Sequence, residues 1–238
     1  MKYGLAVSTF SDETTSDVRY EIIEECFQSL LDNVQRDTEV IITADGPLPR
    51  KHLDIFDKYK IKVLTRSENG GGARVKNIAM KYFFDKGINQ GLLLDDDMLV
   101  GSPYLTEYYC HQMRLTGICH FSYRTSFNDR QYIIYNGHPI IKTKLVNGCL
   151  MSFDKTLIDK VGWFKPFNFK VGHWHTNFTM RCRNQRLIPY FCDIIGAHDL
   201  AVINQKSWEN TSFNVDRSRI KENFNYISHL NKYVSYSG

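Results

Sequence analysis

No stretch of this 238-residue chain approaches eighteen consecutive apolar residues, so nothing in it has the length to cross a bilayer as a helix. It lacks the apolar core and cleavage site of a secretory leader. Met1-Lys2-Tyr3-Gly4 runs directly into a strand-like segment, and the expectation is a cytoplasmic protein. The six cysteines (Cys26, Cys110, Cys119, Cys149, Cys182, Cys192) include no C-x-x-C pair and lie mostly in apolar segments. That spacing argues against a disulfide frame or a cysteine zinc site and leaves reduced core thiols. Between Ser8 and Asp17 there is no glycine and no basic residue, so no cationic phosphate loop follows the first strand.

What is present is apolar material for one substantial core, 42% hydrophobic and 13% aromatic, and a single domain over 1–238 is predicted. The net charge of +4 hides an asymmetry: residues 1–118 carry 14 Lys and Arg against 18 Asp and Glu, residues 119–238 carry 16 against 8. An acidic half joined to a basic half fits an enzyme that binds a metal on one side and meets an anionic acceptor or diphosphate on the other. An ordinary solvated basic surface is the alternative.

Strand and helix signals alternate over the first hundred residues, the pattern of a parallel sheet covered by helices. Lys2–Thr9 is a predicted strand, and Ser16 or Asp17 caps a helix with Ile23, Cys26, Phe27, Leu30, Leu31 and Val34 on one face. Glu39–Thr43 and Ile61–Thr65 are the next strands, separated by the turn Ala44-Asp45-Gly46-Pro47 and a short helix through Leu53 and Phe56. After Asn69-Gly70-Gly71-Gly72 comes a helix through Val75, Ile78, Ala79, Tyr82 and Phe83, closed by Gly87. Past residue 100, Ser102-Pro103 starts a helix that Gly117 stops, and Ile118–Tyr123, Tyr132–Tyr135 and Pro139–Val146 read as antiparallel strands. Asn147–Phe153 is a further strand, Asp154 caps a helix through Leu157 and Val161, and Ile220, Phe224, Ile227 and Leu230 line a late helix.

The chemistry concentrates where Leu92-Leu93-Leu94 delivers Asp95, Asp96 and Asp97. Three like charges at the mouth of a sheet repel one another unless a cation relieves them, and a divalent ion with a phosphate partner is the economical reading beside that of a solvated acidic turn. Ligands of open α/β sheets bind beyond the carboxyl ends of the strands, where Thr9, Asp45, Ser67 and the aspartates fall. The glycine triplet follows the third strand, not the first, which argues against a dinucleotide fingerprint and for a loop folding over a ligand or a plain turn.

Taken in order, Ser8-Thr9-Phe10, Asp45-Gly46, Asn69-Gly70-Gly71 with Lys76-Asn77, Asp95-Asp96-Asp97, Val161-Gly162-Trp163-Phe164, Trp174 to Arg181, and His198 resemble the motifs of GT-A fold glycosyltransferases, in particular the large family 2 type. The resemblance implies an α/β nucleotide-diphospho-sugar transferase fold, with a mostly parallel central sheet flanked by helices and a smaller antiparallel acceptor-side region. Residues 1–100 would be the donor half, 101–200 the acceptor half and 201–238 a helical tail. The implied reaction is metal-dependent transfer of a hexose or pentose from a nucleotide-diphosphate sugar to a hydroxyl of a glycan, a lipid-linked or a nucleic-acid acceptor. Peripheral membrane contact is compatible with that set.

Residue by residue, the resemblance places Asp97 on the metal, Asp95 on the metal, ribose or donor sugar with Asp96 aiding as the DxD motif, and His198 on the same ion. Manganese or magnesium is the implied cofactor, and a histidine ligand leans the choice to manganese. Asp45 would accept from a uracil imide with Thr9 and Phe10 lining the base, which favours a UDP-sugar. Asn69 and Gly71 would lie in the donor loop, and Lys76, or Arg74, near the donor phosphates. The departure is at the catalytic base: Trp174 and His175 stand where the family carries Glu-Asp, and Asn177 where a second acid is common. His175 is the candidate base, His173 the next, and Asp199 an alternative. Inversion is placed ahead of a retaining, base-free transfer on family grounds alone. Trp163 and Trp174 would stack on sugar faces or fill the core. Arg124, Arg130, Lys142, Lys144, Lys170, Arg183 and Arg186, interleaved with Tyr123, Phe127, Tyr132, Tyr135 and Phe169, suit an anionic acceptor. Two rivals remain: a sugar-phosphate nucleotidyltransferase, disfavoured by the segment Ser8–Asp17, and a non-catalytic nucleotide-sugar or nucleic-acid binder, favoured by the missing acid pair.

Overall fold

The fold comes from a computed structural model that describes residues 2–11, 15–33, 37–123, 130–144, 147–166, 174–209 and 233–236. Val34, Arg124, Phe127, Val146, Phe169, Lys170, His173 and the late helix through Leu230 lie outside the described residues.

The alternation over the first hundred residues is β1 (Tyr3–Thr9), α1 (Asp17–Asp32), β2 (Thr38–Ala44), α2 (Arg50–Lys58), β3 (Lys62–Thr65), α3 (Gly72–Asp85) and β4 (Gln90–Asp95). These strands pair in parallel in the order β3-β2-β1-β4, and β8 (Leu150–Asp154) closes the sheet antiparallel to β4. Every residue of β1 is buried, and Leu92, Leu93 and Leu94 have no exposed surface. A parallel strand covered on both faces needs such an unbroken apolar run rather than alternation. Gly4 pairs with Gly91 across β1 and β4. A Cβ at Gly4 would come within 2.8 Å of the Phe83 ring, which stacks on Phe153 with centroids 5.7 Å apart. The two glycines thus open room for an aromatic pair, each ring giving about 1.5–3 kcal/mol on burial.

Local signals act as expected. Ser16, rather than Asp17, is the N-cap of α1 and accepts from Arg19 N at 3.3 Å. Asp154 caps α5 (Lys155–Val161) through Thr156 N at 2.7 Å. Gly117 ends α4 (Leu105–Thr116) in the left-handed conformation.

Two smaller antiparallel sheets pair β5 (Met98–Val100) with β10 (Ala201–Ile203), and β6 (Gln131–Tyr135) with β7 (His138–Thr143) and β9 (Phe191–Asp193). The remaining helices are α6 (Trp174–Asn184), α7 (Ala197–Leu200) and α8 (Gln205–Glu209).

Three strand expectations are corrected. The segment 118–123 forms no ladder: Ser122 N bonds to Cys192 O in β9 whereas Tyr123 N bonds to Leu150 O in β8, and a chain that divides its bonds between two neighbours makes only the single bridge Ser122–Met151. The strand expected over Pro139–Val146 runs His138–Thr143 and has ended by Lys144, residues 145 and 146 lying outside the described ones, and Asn147–Phe153 begins as strand only at Leu150. Residues 147–149 are a loop in which Asn147 Oδ1 accepts from Cys149 N at 2.9 Å.

Candidate active site

At the carboxyl end of the parallel sheet, β2 ends in Asp45, whose N–H bonds back to Thr9 O at 2.9 Å. Its carboxylate is buried and accepts from Gly70 N and Gly71 N, both at 2.7 Å, with the Arg66 guanidinium 3.6 Å away. Asp45 therefore holds down the glycine loop, and the second lone pair of each oxygen remains for a ligand donor. Gly71 has φ 89° as N-cap of α3, a conformation that favours glycine. Asn69 Oδ1 shares the Gly71 N–H at 3.2 Å. Phe10, 37% exposed, lies beside Gly46, so an open aromatic face adjoins the Asp45 carboxylate. Arg74 folds over Gly70, where a Cβ would approach Arg74 Cδ to 2.7 Å and the Arg66 guanidinium to 2.8 Å.

The three aspartates face three different partners. Asp95 pairs with Lys76, Nζ to Oδ1 2.7 Å, and Lys76 is fully buried with its ammonium 5.4 Å from the Trp174 ring centre. The pair is close but misaligned, so the ammonium has no well-aligned hydrogen-bond acceptor among the described residues. Asp96 is buried, accepts from Thr9 Oγ1 at 2.6 Å and pairs with the Arg19 guanidinium. The middle carboxylate thus ties β1 and α1 together. Asp97 is half-buried overall; its Oδ2 accepts from Ser207 Oγ at 2.8 Å, whereas its Oδ1 is shut off from solvent with no hydrogen-bond partner among the described residues. Burial first, then Asp95 and Asp96, push the Asp97 carboxyl up to about 6, against the opposing pull of Ser207 and Arg19.

His198 is not part of that group. Its Nδ1 lies 2.7 Å from the Tyr123 hydroxyl, which also donates to Ala201 O at 3.1 Å. In the β5–β10 ladder Ala201 faces Val100 and Ile203 faces Met98, and Asn204 N bonds to Asp97 O at 2.8 Å. Asp97 therefore stands at one end of the ladder and His198 beyond the other, with roughly 10 Å of strand between. Among the described residues no three His, Cys, Asp or Glu side chains converge into a group able to hold a metal ion. The expected ligand set of Asp95, Asp97 and His198 is thus not gathered into one such group among the described residues. A buried, unpartnered carboxylate oxygen still fits a cation of the magnesium type, which takes one or two protein carboxylates and completes its shell with substrate phosphates and water.

The first turn of α6 forms another wall. Trp174 is nearly buried, edge-on to Phe164 with centroids 5.1 Å apart and to His175 at 5.3 Å. His175 is half-buried, its ring against Gly148 and its carbonyl accepting from Thr179 Oγ1 at 2.9 Å. Trp163 packs between Phe84 and Tyr236. Asn77 grips Phe164 through N at 3.0 Å and O at 2.9 Å, and buried Arg181 donates to Val161 O, Trp163 O and Asn177 Oδ1. Asn77, the turn 162–164 and Arg181, far apart in the chain, form one clamp under the site. Asp199 is exposed at the start of α7. Sequence reasoning missed Arg19, Arg66, Ser207 and Gly148. Arg19 and Ser207 carry no local signal, being 77 and 110 residues from the aspartates they bind.

A held glycine loop, an aspartate trio and an aromatic helix start beyond the carboxyl end of a mostly parallel sheet define a GT-A type sugar-nucleotide enzyme. The glycosyl transferase family 2 model matches residues 16–140. An uncharacterized glycosyltransferase of Acanthamoeba polyphaga mimivirus is 30% identical over 244 residues, spanning 99% of this chain and 94% of that protein. The chain belongs to glycosyl transferase family 2, and it is a glycosyltransferase acting on nucleotide-diphosphate-sugar donors. Among solved structures, the mannosyltransferase PcManGT of Pyrobaculum calidifontis, in complex with GDP-Man and Mn2+, shares the fold with TM-score 0.59 and 13% identity over 93% of this chain and 60% of that one. TarS of S. aureus does so with TM-score 0.55 and 19% identity over 76% of this chain. This chain spans only 33% of the length of TarS.

Proposed function

We propose that the chain moves a sugar from a UDP-sugar to an acceptor hydroxyl with inversion, with Mn2+ or Mg2+ as cofactor. The observation that carries the metal reading is a charge count at the trio: among the described residues Lys76 answers Asp95, Arg19 answers Asp96, and Asp97 has only a hydroxyl. One negative charge, with one oxygen buried and unsatisfied, is left for a cation. Asp97 would hold it with Asp95 beside it, and the bound ion would neutralise charge on the diphosphate leaving group.

The chain's own residues supply the rest. Lys76 presents a buried ammonium at the mouth of β4, where a second anion competes with Asp95 for it. Phe10 offers a face for the base, and Asp45 an acceptor for the uracil imide. His175 takes the acceptor proton on its ring nitrogen. On the acceptor side Arg130 lies over the Tyr132 ring at 5.5 Å and Lys142 over Tyr190 at 4.5 Å, with Lys144, Arg183 and Arg186 in the same half. Paired cations and aromatics of that kind support an anionic acceptor, whether a glycan, a lipid-linked phosphate or a nucleic acid. That GDP-Man and Mn2+ occupy the mannosyltransferase of the same fold is consistent with the metal reading.

The test is release of UDP from a panel of UDP-sugars with and without Mn2+. Turnover that needs the ion and disappears in Asp97→Asn supports the reading; turnover insensitive to both sinks it.

A further inference from the structure

Gly148 has an ordinary backbone conformation and is not among the positive-φ glycines, so its own torsion angles would accept any L residue. What excludes a side chain is His175. A Cβ at Gly148 would lie 3.0 Å from both Cγ and Nδ1 of that ring and 3.2 Å from its Cβ. Gly72 stands in the same relation to the preceding residue, with a Cβ there 3.3 Å from Trp174 Nε1. Two consecutive residues of α6 are thus seated in two glycine sockets from separate parts of the chain.

Both sockets are fastened to Asp95. The carbonyl of Cys149, next to Gly148, accepts from Asp95 N at 2.7 Å, and Asn147 Oδ1 braces the same loop. On the other side Gly72 opens α3, whose Lys76 pairs with Asp95 beneath Trp174. How closely the imidazole approaches the end of β4 is therefore set by the missing side chain at Gly148. We propose that Gly148 is the positioning residue for His175, holding it at the reacting centre. The inference rests on the reading of His175 as the base. A methyl group at 148 pushes the ring away by a few tenths of an ångström or rotates it, and misplacement on that scale costs rate rather than donor binding.

The test is a double-mutant cycle of Gly148→Ala and His175→Ala, read as UDP release from UDP-glucose, UDP-galactose and UDP-N-acetylglucosamine, with UDP affinity by calorimetry and melting temperature alongside. The expectation is that Gly148→Ala lowers kcat by about 10- to 100-fold with UDP affinity retained, and causes no further loss when His175 is already Ala. Parental kcat in Gly148→Ala, or the same fractional loss on both backgrounds, overturns the positioning role. Parental kcat in His175→Ala overturns the base reading itself, which keeps the two failures distinct. Should Gly148→Ala not fold, recovery of folding in the double mutant supports the contact and its absence refutes it.

Discussion

The Nζ of Lys76, buried beneath Trp174, lies 2.7 Å from Oδ1 of Asp95. Asp95 is 37% exposed on its side chain, so the pair is a buried cation facing a partly solvated carboxylate. Water screens the acid side and not the base side. A ligand anion can share the ammonium only once the Asp95 carboxylate or the Trp174 ring shifts to uncover it.

Replacing Lys76 by Met keeps the stem and removes the charge. UDP affinity is expected to fall by about tenfold, the lower end of what a hydrogen bond to a charged group is worth. Calorimetry with UDP measures it, and unchanged affinity would remove Lys76 from the donor site.

Asp97 makes stability pH-dependent in an unusual direction. Its carboxyl is raised from 3.8 to about 6, so the folded state binds a proton more tightly than the unfolded state. Between those two values stability falls as pH rises, by up to about 3 kcal/mol in the metal-free protein. Asp97→Asn is expected to flatten that slope. Urea titrations of both proteins across this range, in chelator, provide the check. Added Mn2+ is expected to restore stability at the upper end, because ion and proton compete for the same oxygen.

Loss of the imidazole in His175→Ala is expected to lower turnover by about 10²-fold or more while leaving UDP binding intact. A pH–rate profile of the parent should then show an acidic limb, where protonation of the imidazole removes the base, that the variant lacks. If the variant keeps parental turnover, the proton goes elsewhere.

Asp45→Asn tests the loop latch. Asparagine offers one carbonyl where the carboxylate offers two oxygens, so either Gly70 N or Gly71 N loses its bond, a cost of about 1–3 kcal/mol. Hydrogen exchange at those two amides should accelerate and donor KM should rise. Exchange as slow as in the parent would show that the loop stands without Asp45.

Features governed by neighbours in the chain were legible. The Leu92-Leu93-Leu94 run announced a strand buried on both faces, and Gly117 and Asp154 terminated and capped helices where their chemistry allows. The segment 118–123 was misread because β propensity says that a strand fits, not whether one neighbour will accept all its bonds. Motif order puts His198 beside the aspartates but carries no register, and in the β5–β10 ladder Asp97 adjoins Met98 at one end whereas His198 precedes Ala201 at the other.

By itself, the amino-acid order determined that a parallel sheet would carry three carboxylates to its rim, since apolar periodicity and turn chemistry act over a few residues. Only the tertiary structure decided what each carboxylate would do. Arg19, Lys76 and Ser207 reach the trio from α1, α3 and α8, and among the described residues their arrival leaves Asp97 without a cationic partner. Charge pairing acts through space over a few ångströms, and the chain distance between partners has no part in it.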